Sequence, residues 1–210
     1  MNESQLRTRI VEQGRSLFER GFVVGQAGNI SAKTDDALLM TPTNSCLGRL
    51  DADGISKVSL DGKLISGLPA SKELALHQAV YRVRPGARAI VHLHATYSTA
   101  VSCLADVNAA DILPPLTPYY IMRVGKLPLV PYFAPGSAEL AGAVGAVARD
   151  HHAMLLANHG VVLAAGDLDA AVYAAEELEE SAKLFLLLRG TKSRTLSADQ
   201  VAELISRKTK

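Results

Sequence analysis

Ala89-Ile90-Val91-His92-Leu93-His94 lies within a β-rich stretch, residues 87–94, from which the fold of this 210-residue chain is best predicted. The apolar run indicates a strand buried under helices, where Val or Ile is the usual residue. Side chains two positions apart on a strand point to the same face of the sheet. The two imidazoles would therefore lie side by side, either as half of a metal site or as an incidental pair with other polar partners.

Outward from this strand, predicted helices and strands are interspersed along the chain. Helical patterns, several with capping residues, occur at 4–19, 71–84, 96–104, 137–149, 169–188 and, shorter, from residue 197. Strand patterns occur after a small-residue turn at 25–31, at 37–41, 87–94 and 127–131, and twice within 153–165. We find no repeat and no linker. Residues 1–210 are therefore predicted to form one α/β domain, with helices on the faces of a partly antiparallel sheet.

The charges of the chain are balanced, because 22 Lys and Arg against 21 Asp and Glu give a net charge of +1. This balance, with 5% aromatic residues and no Trp, argues against nucleic acid or an anionic membrane as a partner. Cys46 and Cys103 are too few for a disulfide framework. The polar start lacks a secretory signal pattern, and no apolar run is long enough to cross a membrane. We therefore expect a cytoplasmic protein.

A third histidine and a glutamate extend the His92–His94 pair to a candidate metal site. His159 lies in the turn between two apolar strands, and Glu73 begins a helix beside a loop rich in Gly, Pro and Ser. Taken alone, His159 is typical of a turn residue that faces water, and Glu73 of a first-turn acid that complements the helix dipole. Together, three imidazoles and a carboxylate match the catalytic rather than the structural pattern of zinc sites.

Other polar residues have simpler expected roles. His77 follows Glu73 by one helical turn and would either support the site or pack in the core. The pair 151–152, both histidines, follows a helix end and is expected in solvent. An acidic run is expected to form a solvated or interface face of its helix; it comprises Glu176, Glu177, Glu179 and Glu180.

Three polar clusters at loop or helix-start positions are candidates for a phosphate site. A helix N-terminus with a serine offers backbone N–H groups and a hydroxyl to a phosphate, and a lysine adds a positive charge. Each cluster also has a purely structural interpretation, as a turn former, a loop residue or an N-cap. None matches a P-loop or a dinucleotide-binding motif. The clusters are Gly28-Asn29, Thr43-Asn44 and Ser71-Lys72.

Five short segments, spread over residues 6–188, carry a resemblance to a known family. In order they are Gly28-Asn29-Ile30-Ser31, Thr41-Pro42-Thr43, Pro69-Ala70-Ser71-Lys72-Glu73, His92-Leu93-His94 and Asn158-His159-Gly160. This ordered set resembles the class II aldolase/adducin family. The resemblance implies a single three-layer α/β/α domain with a mainly antiparallel central sheet. It also implies a homotetramer with active sites near subunit interfaces.

The resemblance implies roles for the candidate residues as well. In metal-dependent members of the family, the positions that match His92, His94 and His159 hold a divalent ion, usually Zn²⁺. The position of Glu73 is both an occasional ligand and the acid/base. The substrate phosphate is held at positions that match Gly28, Asn29, Thr43, Asn44, Ser71 and Lys72. The adducin branch, an interaction module without enzyme activity, lacks the metal set, so its presence here favours an enzyme.

Within the family, residues 41–50, 117–125 and 176–180 are most similar to decarboxylases of 3-oxo-tetronate 4-phosphates in acid-sugar catabolism. The implied reaction removes CO₂ from a β-keto acid, and protonation of a zinc-stabilised enediolate gives dihydroxyacetone phosphate. Glu73 would donate the proton. Tyr119 or Tyr120, of which Tyr120 is the favoured candidate, would donate a further proton or hydrogen bond unless both pack in an interface. The alternative is a fuculose or rhamnulose phosphate aldolase, or a related epimerase. Many of those aldolases carry Ser where Lys72 stands.

Overall fold

The histidine-bearing strand lies near the middle of an eight-stranded sheet in the computed structural model of the protein, which describes residues 1–208. The strands are β1 (Asn29–Lys33), β2 (Ala37–Met40), β3 (Ser56–Ser59), β4 (Leu64–Ser66), β5 (Ala89–Leu93), β6 (Leu129–Val130), β7 (Ala153–Leu156) and β8 (Gly160–Ala165). Across the sheet their order is β4-β3-β2-β1-β5-β8-β7-β6. Neighbouring strands are antiparallel, apart from the parallel pair β6–β7. The mainly antiparallel sheet is therefore confirmed.

Helices cover both faces of this sheet. They are α1 (Glu3–Glu19), α2 (Leu74–Val83), α3 (Thr96–Ser102), α4 (Pro118–Arg123), α5 (Ala138–Val147), α6 (Leu168–Leu188) and α7 (Ala198–Lys208). Apolar residues of α2 and α5 share one core with Ile90 of β5, and those of α1, α3 and α6 share the other core with Val91. This confirms the three-layer α/β/α arrangement. No helix in the described part of the chain is both long and apolar enough to span a bilayer.

The alternation of side chains along β5 decides which layer receives the histidines. Leu93 lies in the core beneath α1 and α6, whereas Ile90 lies in the core beneath α2 and α5. His92 is two positions from Ile90 and therefore points to the α2 side of the sheet. It is paired with Asn29 on β1 and with Val162 on β8. The start of α2 consequently faces the histidine pair.

The structure differs from the sequence predictions at three elements. The hairpin β3–β4 is not predicted, because its strands have only four and three residues, too few for a periodic pattern. Helix α4 is missed because it has only six residues, with Pro118 in its first turn. Helix α2 begins at Leu74 rather than Ser71, and Glu73 occupies the N-cap position without a side-chain capping bond. Ser71 is therefore not the N-cap residue, although its Oγ accepts a hydrogen bond from the backbone N–H of Glu73 (3.3 Å). The first-turn placement of Glu73 is wrong, and its carboxylate, which makes no capping bond, can turn toward β5.

Glu179 is not on a solvated helix face, which corrects the prediction for one residue of the acidic run. Its side chain is buried, and its two carboxylate oxygens accept hydrogen bonds from the backbone N–H groups of Tyr97 (2.7 Å) and Ser98 (2.8 Å). Both donors lie in the first turn of α3, whose N-cap position provides no side-chain cap. Glu179 on α6 thus caps a different helix, the one that directly follows His94 in the chain.

Replacing Glu179 with alanine is expected to destabilise the fold by about 2 kcal/mol, the upper range for loss of a helix cap. Two backbone donors at the start of α3 would lose their acceptor in a buried place. For a chain of this size the thermal midpoint should fall by about 4–8 °C. The matched control is Glu180→Ala, because Glu180 is exposed on the same helix. An equal midpoint for the two variants would contradict the capping role.

Candidate active site

Four predicted site residues come together at the carboxyl end of β5. One potential ligand atom from each of Glu73, His92, His94 and His159 lies within 4.8 Å of the others. Nε2 of His92 is 3.1 Å from Oε2 of Glu73, and Nε2 of His159 is 3.6 Å from Oε1. Nε2 of His94 is 2.9 Å from Nε2 of His92. The three imidazole rings contact one another edge to face, with centroids 4.7 to 4.9 Å apart.

Each of these side chains is positioned by a different feature of the local fold. His92 is on β5, and His94 follows the last residue of that strand. His159 belongs to the tight turn between β7 and β8, where Asn158 has a positive φ of 56°. Because β8 runs antiparallel to β5, this turn reaches the end of β5. Glu73 joins them from the N-cap position of α2.

The orientation of the His92 ring is set by a hydrogen bond away from the cluster. Its Nδ1–H donates to the carbonyl oxygen of Val161 at 2.8 Å, so Nε2 faces Glu73 and His94. This is the outer-shell arrangement that fixes the tautomer of metal-binding histidines. The groups that face inward are mainly acceptors, and a cation or a shared proton is needed to balance them.

A buried carboxylate oxygen supports the presence of a cation. Oε1 of Glu73 is buried and has no hydrogen-bond partner among the described residues. Leaving such an oxygen unpaired is costly, and native structures seldom do so without a ligand. Three imidazole nitrogens and one carboxylate are donors that suit Zn²⁺ and other divalent transition metals. The residues therefore fit a divalent metal ion, as the sequence predicts.

Three of the four groups in the cluster have protonation states that suit metal binding at neutral pH. Burial lowers the pKa of His94 to about 3 and that of His159 to about 4, and proximity to His92 adds to both shifts. Burial alone would raise the pKa of the Glu73 carboxyl, but its contacts with His92, Asn29 and His159 outweigh this and hold its pKa well below the usual range. His94 and His159 are therefore neutral and Glu73 is ionised at neutral pH. The pKa of His92 is raised, because its contacts with the Glu73 carboxylate outweigh its burial, so a metal ion at Nε2 would displace a proton from this ring.

The predicted phosphate residues lie on two adjoining loops next to Glu73. The backbone N–H of Thr43 donates to Pro69 O (2.9 Å), and that of Ser71 donates to Thr41 O (3.3 Å). Asn44, with a positive φ of 55°, is exposed, as is Lys72. The structure thus brings four of the six predicted residues onto neighbouring loops: Thr43, Asn44, Ser71 and Lys72.

The other two predicted phosphate residues stand at the start of β1. Gly28 has a φ of 74°, and a Cβ there would lie 2.9 Å from the carbonyl oxygen of His92. Asn29 is buried, and both ends of its amide are engaged: Nδ2 donates to Oε2 of Glu73 (2.8 Å), and Oδ1 contacts Nε2 of His77 (2.6 Å). Its role toward a phosphate stays a prediction.

Tyr120, the second predicted catalytic residue, is 1% exposed and packs in the core beneath α4. Burial, together with the charge of Asp111, raises its pKa. Its hydroxyl has no hydrogen-bond partner among residues 1–208. The neighbouring Tyr119 is 61% exposed. Among residues 1–208, neither phenol makes a hydrogen bond or a ring contact with the cluster around Glu73. The catalytic role of Tyr120 stays a prediction.

Two histidine predictions are resolved by the structure. His77 is fully buried, and its ring nitrogens contact Asn29 and Ser31 (2.7 Å), so it supports the site from behind. Its spacing of one helical turn after Glu73 is the sequence signal for this. His151 and His152 are half-buried rather than in solvent, and Nε2 of His152 lies 3.0 Å from the carbonyl oxygen of Arg123.

A cleft of about 620 Å³ lies at the opposite end of β5 and β8. Its lining includes Arg84, Arg123 and Arg149, together with Ala87 before β5 and Ala165 at the end of β8. None of the four clustered residues lines it. The donor chemistry of the cluster, rather than the volume of a cleft, therefore locates the candidate site.

Gly160 is required by the close approach of β8 to β5, and Gly160→Ala is expected to destabilise the fold by about 1–3 kcal/mol. An added Cβ would lie 2.2 Å from the carbonyl oxygen of Leu93 and 3.1 Å from Cδ2 of His94. Relief of this clash must move His94, so metal affinity should fall with the thermal midpoint. Gly142→Ala is the control, because its Cβ would meet no atom within 4 Å. A Gly160→Ala protein with wild-type stability and metal affinity would contradict the argument.

Comparison with known proteins identifies the family. The profile described as the class II aldolase and adducin N-terminal domain matches residues 8–186, and the chain belongs to this family. It is 50% identical over 204 residues to a 3-oxo-tetronate 4-phosphate decarboxylase of Pectobacterium atrosepticum. The alignment covers 97% of this chain and 94% of that relative. The chain is 40% identical over 173 residues to an L-fuculose phosphate aldolase of Methanocaldococcus jannaschii, which covers 82% and 91%.

A solved structure gives the same result. A Klebsiella pneumoniae protein, described as an aldolase, epimerase or decarboxylase, superposes with a TM-score of 0.95 at 47% identity. The superposition covers 97% of this chain and 99% of that protein. The resemblance drawn from the five sequence segments is confirmed.

Proposed function

We propose that this protein is a metal-dependent carboxy-lyase that converts a 3-oxo-tetronate 4-phosphate to dihydroxyacetone phosphate and CO₂ in carbohydrate catabolism. The observation that carries the proposal is the unpaired, buried Oε1 of Glu73 among three imidazoles. The choice of substrate is supported by the decarboxylase at 50% identity over nearly the full length of both chains.

The metal proposed for this site is Zn²⁺, held by His92, His94 and His159 with Glu73 as a fourth ligand. When bound, the ion would act as a Lewis acid for the negative charge that develops as the C–C bond breaks. The absence of cysteine from this set of donors is typical of catalytic rather than structural zinc sites.

The chain's own residues hold the substrate and move one proton. Thr43, Asn44, Ser71 and Lys72 provide hydroxyl, amide and ammonium groups for the phosphate on two adjoining loops. With the phosphate fixed there, C2 of the substrate lies toward Glu73. The C1–C2 bond breaks, its electron pair stays on the C2–C3 unit, and CO₂ leaves. The reaction takes up one proton from solvent; Glu73, which is ionised before the substrate binds, would accept this proton and pass it to C2.

A sugar-phosphate aldolase is the second candidate, and the 40% identical L-fuculose phosphate aldolase favours it. Cleavage of a C–C bond with an aldehyde as leaving group uses the same metal and the same carboxylate. An epimerase needs further acid/base groups. An adducin-like interaction module is disfavoured, because such a module has no use for a buried set of metal ligands.

The proposal is tested by a coupled assay for dihydroxyacetone phosphate, with 3-oxo-tetronate 4-phosphate generated in situ. We expect turnover that a chelator stops and added Zn²⁺ restores. L-fuculose 1-phosphate and rhamnulose 1-phosphate are assayed in parallel. Cleavage of either sugar without turnover of the keto acid would replace the decarboxylase by an aldolase. Inactivity on all three, with stoichiometric metal bound, would refute the substrate and leave the metal site.

We also propose that the protein is a cytoplasmic homotetramer. The support is a set of large apolar side chains that are exposed in the single chain, including Tyr119 (61%), Tyr132 (63%) and Leu187 (67%). Apolar groups of this size are commonly covered in an interface. Sedimentation equilibrium tests the oligomer, and a monomer would contradict it.

A further inference from the structure

A continuous chain of hydrogen bonds runs from the core to the Glu73 carboxylate. The hydroxyl of Tyr81 is 2.9 Å from Oγ of Ser31, which is 2.7 Å from Nδ1 of His77. Nε2 of His77 is 2.6 Å from Oδ1 of Asn29, and Nδ2 of Asn29 is 2.8 Å from Oε2 of Glu73. All five side chains are buried. The chain crosses from β1 to α2 and ends at the group that the proposed reaction needs.

With Glu73 ionised, every hydrogen bond in this chain has only one consistent direction. A carboxylate only accepts, so Asn29 turns its NH₂ toward Glu73. The other end of the amide is then an acceptor, so His77 donates its Nε2–H. Burial lowers the pKa of His77 to about 3, and a neutral ring that is protonated on Nε2 must accept at Nδ1. Ser31 therefore donates to His77 and accepts from Tyr81.

The amide of Asn29 has a second orientation, and the chain opposes it. If the amide turned over, its oxygen would face the carboxylate of Glu73 and its NH₂ would face His77. That arrangement needs His77 to accept at Nε2, which requires the tautomer that carries its proton on Nδ1. In that tautomer Nδ1–H would donate to Ser31 and Ser31 would donate to Tyr81, so the buried O–H of Tyr81 would lose Ser31 as its acceptor. The orientation of the Asn29 amide is thus linked, through the tautomer of His77, to the direction in which the Ser31 hydroxyl donates.

We propose that Ser31, His77 and Tyr81 are positioning residues that act through Asn29 on Glu73. Their role is to keep the amide donor on Oε2, so that Oε1 stays free and directed at His159, where metal and substrate are expected. This rests on the proposed function for the catalytic role of Glu73. A merely structural network would stabilise the fold without any effect on how Glu73 reacts.

The first test measures the tautomer of His77 and needs no substrate. The whole protein is labelled with ¹⁵N-histidine, and the His77 signals are assigned by their loss in His77→Gln. We expect the His77 ring to carry one proton, on Nε2. In Ser31→Ala the ¹⁵N chemical shift of Nδ1 should change, because this nitrogen loses the hydroxyl that donates to it. A proton on Nδ1 in the wild-type protein, or on both nitrogens, would overturn the proposed direction of the chain.

The second test compares variants along the chain. Ser31→Ala and His77→Leu are expected to lower kcat by about 10-fold to 100-fold, the usual cost of losing a partner behind a metal ligand. KM should change less than kcat, because the hydrogen bonds of these residues lead through Asn29 to Glu73. His77→Gln retains a donor for Asn29 and should recover most of the loss. If His77→Leu does not fold, Ser31→Ala carries the comparison, since it removes a single hydroxyl.

The control is Ser181→Ala, a buried serine on α6. Its hydroxyl has no hydrogen-bond partner among the described residues, so the loss of this buried hydroxyl should leave both the thermal midpoint and kcat close to the wild-type values. Equal loss of kcat in His77→Gln and His77→Leu, or in Ser31→Ala and Ser181→Ala, would overturn the positioning role. If the wild-type protein does not turn over the keto acid, the proposed function is refuted instead. The tautomer of His77 is measured without substrate, so that test does not depend on the proposed function.

Discussion

Glu73→Gln is expected to lower kcat for the keto acid by about 10²-fold to 10⁴-fold, the range for loss of a general acid/base group. The substituted amide has nearly the same shape, and its oxygen still accepts from Nδ2 of Asn29 in place of Oε2. It does not carry a transferable proton at neutral pH, and its NH₂ would face His159 where Oε1 now lies. Steady-state kinetics with metal content measured on the same sample tests this.

The control for this substitution is Glu180→Gln, which removes a carboxylate from an exposed position on α6. Its kcat should equal that of the wild-type protein. Wild-type turnover by Glu73→Gln with full metal content would show that another group protonates C2. Loss of the metal together with activity would show that Glu73 acts first as a ligand.

His94→Ala is expected to weaken metal binding by more than about 100-fold. Loss of a residue that only supports a ligand costs up to about 100-fold, and His94 is itself a proposed ligand. In the wild-type protein, free metal at 100 times its Kd adds about 2.7 kcal/mol of stability. That corresponds to a rise of about 5–10 °C in the thermal midpoint for a chain of this size. The rise should vanish in His94→Ala, and thermal unfolding with and without added Zn²⁺ measures it.

His151→Ala is the matched control, because His151 is a half-buried histidine outside the cluster. It should retain the metal-dependent rise in full. A rise that persists in His94→Ala would mean that the ion binds elsewhere. A wild-type midpoint that does not respond to any divalent metal would contradict the metal site itself.

Much of the candidate site can be predicted from the sequence because it depends on local geometry. The spacing of His92 and His94 on a strand places both on one face whatever surrounds the strand. The apolar segments on either side of His159 mark a turn at the edge of a sheet. Residue chemistry then limits what three imidazoles and a carboxylate can do. Family resemblance added expected roles for these residues, and the fold and the cluster of potential metal ligands agree with the family.

Tertiary structure alone decided how Glu73 is held and what caps α3. The donor to Glu73 is Asn29, 44 residues earlier in the chain, and the cap of α3 is Glu179, 81 residues after Ser98. No periodic pattern links residues so far apart, because strand and helix periods describe one element at a time. A run of four glutamates predicts a solvated helix face, and only the packing shows that one of them, Glu179, lies against the start of α3. The sequence therefore determined which groups are available, and long-range packing decided which atoms face each other.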